Sequence, residues 1–194
     1  MKRILFAVSV ALISQAVTAQ HNAFVMSYPI ALPMGNLHDY IGQTSFRGFN
    51  IEFNRRQKPN LEFGLETGWQ TFYQREESKT YTSGTASISG IQYRYTNIAP
   101  ILASVKFYKV SGKTEPYLGL GLGVMYVNRS TDFGLYRIST EVWPFTLRPE
   151  AGVLFHFQPG VSGLLGVKYY AAFNTDDLDG QSYLSINIGV VLSH

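Results

Sequence analysis

The stretch at residues 116–127, PYLGLGLGVMYV, constrains the fold more than any other because its two faces carry opposite messages. At the period of two that a strand imposes, Leu118, Leu120, Leu122, Val124 and Tyr126 fall on one side, and Tyr117, Gly119, Gly121, Gly123 and Met125 on the other. The first face is continuous and greasy, so it needs an apolar surface to lie against. The second is lean, which suits a crowded, tightly curved interior. A soluble sandwich wants its bulk inside and polar groups outside; this strand has the opposite arrangement, and lipid is the simplest neighbour for it.

The bulk numbers agree with a chain that spreads its lipid-facing surface over every second residue. The 194 residues suffice for one such domain and are too few for a second sizeable one. A mean hydropathy of -0.01 is too polar for a bundle of membrane helices. Beyond residue 20 no run reaches the roughly 18 apolar residues that a spanning helix needs. Residues 1–19 read as a cleaved signal peptide: a basic start at Lys2 and Arg3, an apolar segment over 4–13, and Val17-Thr18-Ala19 before Gln20. Removing Lys2 and Arg3 from the 16 Lys+Arg leaves 14 against 13 acids, and so small a surplus argues against a nucleic-acid partner. Cysteine is absent, which excludes disulfides, lipoprotein-type acylation and thiolate metal sites.

Residues 20–194 divide into eight segments with strand character, each bounded by turn residues. The first covers 24–32, the second runs from about 44 to 55, the third spans 61–73 and the fourth 91–108. The fifth is the stretch described above. The sixth carries Trp143, Phe145, Leu147, Ala151, Val153, Phe155 and Phe157 in phase, the seventh sets Val161, Leu165, Val167, Tyr169 and Phe173 on one face, and the eighth ends the chain. Turns after strands two, four and six are short (57–60, 111–115, 158–160), while the other connections are longer and polar, including loops at 74–90 and around 128–136. Short turns on one rim and long loops on the other define an eight-stranded antiparallel up-and-down transmembrane β-barrel, with the short-turn rim periplasmic. Outward aromatics gather in two girdles: Trp69, Tyr73, Tyr93, Tyr95, Tyr126, Trp143 and Phe173 near the long-loop rim, and Phe53, Phe63, Phe107 and Phe157 near the other. A lipocalin-like barrel is the soluble alternative, and parity opposes it, because the charged residues share the glycine-rich face.

PYLGLGLGVMYV, the segment TSFRGFNIEFNRRQKPNLEFGLETGWQTFY at 44–73, LRPEAGVLFHF at 147–157 and the closing SYLSINIGVVLSH together resemble the outer-membrane β-barrel domain family of Gram-negative envelopes, OmpX-like in size. The resemblance implies a bacterial outer-membrane location, contact with outer-membrane lipid and lipopolysaccharide, insertion by the barrel-assembly machinery, and no cofactor. Such a family shares a fold without sharing one activity. Family members often end in an aromatic residue that resembles an assembly signal; this chain ends in His194, in phase with outward Leu192.

By parity the lumen receives Glu52, Glu62, Glu66 and Glu150 against Arg94, Lys106, Arg148 and Lys168. Counted along the strands from the short turns, Glu66, Glu150, Arg148 and Lys168 share a middle height, with Glu52, Glu62 and Lys106 lower. Unpaired charges in a narrow lumen are costly, so these should pair into a polar plug. The leading expectation is therefore a plugged barrel with a structural or surface-interaction role. The alternatives are a narrow porin-like channel for ions or small solutes, and a lipid-modifying enzyme. The enzyme reading lacks an outward serine beside His156 or His194, His38-Asp39 reads as a solvated loop pair, and the expectation is that the chain is not an enzyme. Segment 175–180, TDDLDG, lacks the first acidic ligand of a calcium loop and reads as solvated. Arg47 and Arg55 share the outward parity at opposite rims. The Ser/Thr/Tyr/Gly-rich loop 74–90, with Tyr81 at its centre, is the expected surface for an extracellular partner.

Overall fold

A computed structural model describes residues 22–83, 86–110, 112–133 and 136–193. The signal segment and His194 lie outside the described residues. Nine strands and one short helix follow in order: β1 (Asn22–Met34), α1 (Gly35–Tyr40), β2 (Gly48–Lys58), β3 (Leu61–Ser83), β4 (Ala86–Tyr108), β5 (Thr114–Phe133), β6 (Tyr136–Val142), β7 (Phe145–Gln158), β8 (Val161–Ala172) and β9 (Gln181–Ser193). β6 and β7 are two lengths of one stave, interrupted at Trp143-Pro144, and both pair with β5. The sheet runs β4-β3-β2-β1-β9-β8-β7-β5, and pairing of β4 with β5 closes it into an eight-stave antiparallel barrel. Closure leaves no sheet edge within the barrel wall, the condition for crossing hydrocarbon with strands.

The alternation read from the fifth strand is the alternation of the wall. Leu118, Leu120, Leu122 and Val124 are exposed on the outside, whereas Tyr117 and Met125 are buried inside. Phe53, Phe63, Phe107 and Phe157 point outward at the short-turn rim, and Trp69, Trp143 and Phe173 do so at the other. Tyr73, Tyr93, Tyr95 and Tyr126 are half-covered because the rings lie on one another: Tyr73 sits 5.0 Å from Tyr95 and 6.4 Å from Tyr93, and Tyr126 lies 5.1 Å from Trp143.

Two expected loops are strands. The β3–β4 ladder continues to the pair Ser83↔Ala86, so the segment at 74–90 is the upper part of a long hairpin, with a register shift between Glu76 and Lys79. The 128–136 segment is likewise the top of the β5–β6 hairpin, ending at Phe133↔Tyr136. Both hairpins continue past the length a membrane span requires. No apolar alternation is required there, and Thr, Ser and Tyr still favour the extended backbone. The expected first loop carries α1, whose Leu37 and Tyr40 are buried, and Gly35 opens it at φ 54.

The heights of the staves differ accordingly. β3 and β4 have 23 residues each and β5 has 20, against 12 for β8 and 13 for β9. A spanning strand needs about 9–11 residues. β3, β4, β5 and β6 therefore raise a four-stranded sheet above the long-loop rim.

Candidate functional site

The bore is filled in layers. At its middle, six side chains from five staves form a closed ring of alternating charge: Glu52 (β2), Lys168 (β8), Glu66 (β3), Arg148 and Glu150 (β7), and Lys106 (β4). Lys168 Nζ lies 2.5 Å from Glu52 Oε1 and 2.8 Å from Glu66 Oε2. Arg148 Nη1 is 3.0 Å from Glu66 Oε2 and 2.8 Å from Glu150 Oε2. Lys106 Nζ is 3.9 Å from Glu150 Oε1 and completes the circuit on Glu52 Oε2. Three acids meet three bases, so the ring is neutral. All six are buried, with Arg148 and Lys168 at 0% exposure. Tyr170 donates its hydroxyl to Glu66, and Asn54 Nδ2 donates to Glu52 Oε2 at 3.3 Å. The contacts of Arg148 and Glu150 are close ion pairs without hydrogen-bond alignment, so Coulomb attraction alone offsets the desolvation of those two groups.

The glycine face of β5 makes room for this ring. A Cβ on Gly119 would lie 2.6 Å from Glu150 Oε1, and one on Gly121 2.7 Å from Arg148 Nε. The registers Gly119↔Glu150 and Gly121↔Arg148 put each glycine directly opposite the side chain that leans across it.

Above the ring an apolar cluster shares the lumen with buried polar side chains, among them Gln70, Thr96, Thr146 and Gln181. Phe72, Ile98, Leu102 and Met125 are buried there, and Tyr170 and Tyr183 stack at 4.4 Å. α1 lies over this layer as a lid, with Leu37, Tyr40 and Ile41 inserted into it. Two guanidinium groups lie on the Tyr40 ring, Arg129 at 3.4 Å and Arg94 at 5.2 Å, and the hydroxyl of Tyr40 donates to the Ser130 carbonyl at 2.9 Å. Arg94 also donates to the Tyr40 carbonyl at 3.0 Å and lies 3.8 Å from Glu76. Below the ring Val25, Tyr108, Tyr117, Leu154, Leu164 and Val191 form a second apolar layer.

The short-turn mouth holds a further polar group around a cavity of about 230 Å3. Arg56 pairs with Glu115 at 3.0 Å and with Glu62 at 3.6 Å, and covers the Tyr108 ring at 4.3 Å. Tyr108 donates to Glu62 Oε1 at 2.9 Å. His156 places Nδ1 2.7 Å from Ser162 Oγ and Nε2 3.5 Å from Glu115 Oε1. A serine thus does stand beside His156, on the inner wall and across the β7–β8 ladder. The string ties β5, β7 and β8 together at the rim.

The expected lumen charges therefore sort into three places. Glu52, Glu66, Lys106, Arg148, Glu150 and Lys168 come together; Glu62 joins the lower mouth, and Arg94 the lid. Glu52 is not lower than the rest, since the register Glu52↔Glu66 sets the two carboxylates side by side, whereas Lys106 stands opposite Glu62 and reaches the ring through its Nζ. Staves in a barrel are tilted, so a count along each strand is not a height. Sequence reasoning missed Arg56, Glu115, Tyr40 and Arg129. The signal for Arg56 was present, since it shares the phase of Glu52 and Asn54. His38 and Asp39 are exposed on α1, and Tyr81 has no described side chain. Among the described residues no three His, Cys, Asp or Glu converge as metal ligands.

Closed eight-stave architecture, an apolar outer wall between aromatic bands and a polar filling define an outer-membrane-type β-barrel. Among solved structures the chain is similar to neisserial surface protein A, NspA (TM-score 0.58, 16% identity, 90% of this chain and 97% of that one). It is also similar to Ail, the attachment invasion locus protein of Yersinia pestis, solved with the heparin analogue sucrose octasulfate (TM-score 0.55, 13% identity, 91% and 100%). The outer membrane protease OmpT of Escherichia coli matches at TM-score 0.52 and 8% identity over 92% and 98%. Identities this low establish the fold alone, and the fold serves surface proteins and a protease alike. No protein-family model and no curated protein matches the chain.

Proposed function

We propose that the protein is an exported, integral outer-membrane barrel with a sealed bore, whose role is structural or interaction-related and is carried by the sheet it raises outside the cell. The observation that supports this most is the contrast between the two parts of the molecule. The bore is occupied by a lid, an apolar cluster with buried polar side chains, a neutral ion ring and a second apolar cluster that borders the mouth cavity. The four strands that continue past the rim place roughly ten residues of β3 and of β4 beyond the length a membrane span requires. Such an investment of ordered backbone outside the membrane suits contact with another surface. Barrel insertion by the assembly machinery and contact with outer-membrane lipid and lipopolysaccharide belong to the same reading; catalysis and a cofactor do not.

Planar-bilayer recordings of the refolded barrel are expected to stay silent, because the lid and the apolar cluster beneath it close the bore above the charge ring, even though the short-turn cavity reaches Lys106 from below. Steady single-channel steps in the wild-type protein would replace this reading with the narrow-channel alternative. Removal of residues 76–88 shortens the β3–β4 hairpin and takes from the lid the Glu76 carboxylate near Arg94, but leaves the ion ring and both apolar clusters in place, so the heat-dependent gel shift of a folded barrel should persist. Adherence of bacteria displaying the shortened barrel, to epithelial cells or to one another, should fall to that of bacteria lacking the protein. Unchanged adherence would remove the hairpin from the proposed role.

A further inference from the structure

The outward face of the long-loop rim carries a row of polar side chains where the wall would otherwise pass from aromatic band to solvent. Thr71, Asn97, Asn128 and Glu141 are aligned in register across β3, β4, β5 and β6. They are coupled along the row: Trp69 Nε1 donates to Thr71 Oγ1 at 3.0 Å, Thr71 Oγ1 to Asn97 Oδ1 at 2.8 Å, and Asn128 Nδ2 to Glu141 Oε1 at 2.6 Å. The Trp69, Tyr95 and Tyr126 rings flank this row, and the group encloses a depression of about 360 Å3 that opens sideways on the wall. That volume falls within the range of small-ligand sites, about 300–1,000 Å3.

The chemistry of the lining selects among the molecules that occupy this level of a membrane. Amides both donate and accept, a carboxylate accepts from adjacent hydroxyls, and flat aromatic faces suit the C–H side of a ring. Phosphate is a poor match. Arg137, the guanidinium in the lining, is held by Asp132 at 2.8 Å and 3.2 Å, and Glu141 adds a carboxylate that would repel a phosphate. Outward residues of β5 change from Leu122 and Val124 through Tyr126 to Asn128, so the row stands one step above the aromatic band, at the height of headgroups. We infer that this outward ladder is a binding site for the sugar headgroup of an outer-leaflet glycolipid, recognised through its hydroxyl and amide groups rather than its phosphates. The inference rests on the outer-membrane placement proposed above and goes beyond it by naming a ligand class and its contacts.

The chain's two tryptophans, Trp69 and Trp143, both lie at this rim, the second against Tyr126, so intrinsic fluorescence reports on the site itself. The barrel is refolded into phospholipid nanodiscs with increasing fractions of rough-type lipopolysaccharide, and insertion is established on the same samples by the heat-dependent gel shift. A saturable change in tryptophan emission is expected, at least tenfold weaker in apparent affinity for Asn97→Ala/Glu141→Ala and intermediate for the isosteric Glu141→Gln. Affinity should survive enzymatic removal of the lipid phosphates and a rise in salt. Phe173→Ala, an exposed residue at the same rim outside the ladder, should bind as wild type. An inserted barrel with no emission change, a double variant with wild-type affinity, or binding abolished by dephosphorylation overturns the assignment. Lipid-free core oligosaccharide binding as tightly as the membrane-borne form would overturn the lipid source. A barrel that does not insert would instead count against the outer-membrane placement.

Discussion

Gly121→Val is expected to cost the barrel about 3–5 kcal/mol, the scale for breaking a buried ion pair. The new side chain would occupy the volume through which Arg148 crosses the bore, since a Cβ alone would stand 2.7 Å from its Nε and 3.0 Å from Nη2. Arg148 has nowhere to retreat at 0% exposure, and displacing it strips Glu66 and Glu150 of a shared base. Urea titration in phospholipid vesicles, followed by the mobility of unboiled samples, measures the effect. The neighbouring change Leu122→Val alters only the lipid-facing side and should cost under about 1.5 kcal/mol, as conservative apolar exchanges do. Equal stability of the two variants would show that the glycine face does not exist to admit the charge ring.

Lys168→Met should destabilise the barrel by a similar ~3–5 kcal/mol, because it leaves two buried carboxylates, Glu52 and Glu66, facing one another across a ring that then carries a net negative charge. The effect belongs to the imbalance and not to the loss of a contact. Lys168→Met combined with Glu52→Gln restores neutrality and leaves Glu66–Arg148–Glu150–Lys106 as an alternating chain. That double variant should be more stable than Lys168→Met alone, by an amount readable in the same urea titration. Additive losses would mean that the six groups act as separate pairs and that ring neutrality has no energetic content.

Much of the wall was legible because a strand's side-chain alternation is local. Leu118 through Val124 declare an outer face within a dozen residues, and the short turns at 57–60 and 158–160 declare which rim is which. Gly160, at φ 81, occupies a backbone region that only a turn glycine reaches easily. The hairpin at 74–90 was hidden for the complementary reason. Where both faces of a sheet are wet, period two leaves no apolar trace, and a run of Ser, Thr and Tyr looks the same as a loop. α1 was hidden because Leu37, Tyr40 and Ile41 lie among Gly, Asn, His and Asp, and six residues are too few to establish a helical period.

By itself the sequence determined the inner and outer faces of the wall, the aromatic bands and the six charges that form the ring, since each follows from the parity of a single strand. Only the tertiary structure decided which charges meet. Lys168 and Glu52 are 116 positions apart, and their contact depends on the register of several ladders and on the tilt that barrel closure imposes, neither of which is a property of any one strand. The same closure separated Glu62 and Arg94 from the ring, recruited Arg56 and Glu115 at the mouth, and set Asn97, Asn128 and Glu141 in one row, because a cylinder of tilted staves makes neighbours of residues that share a height and not a count.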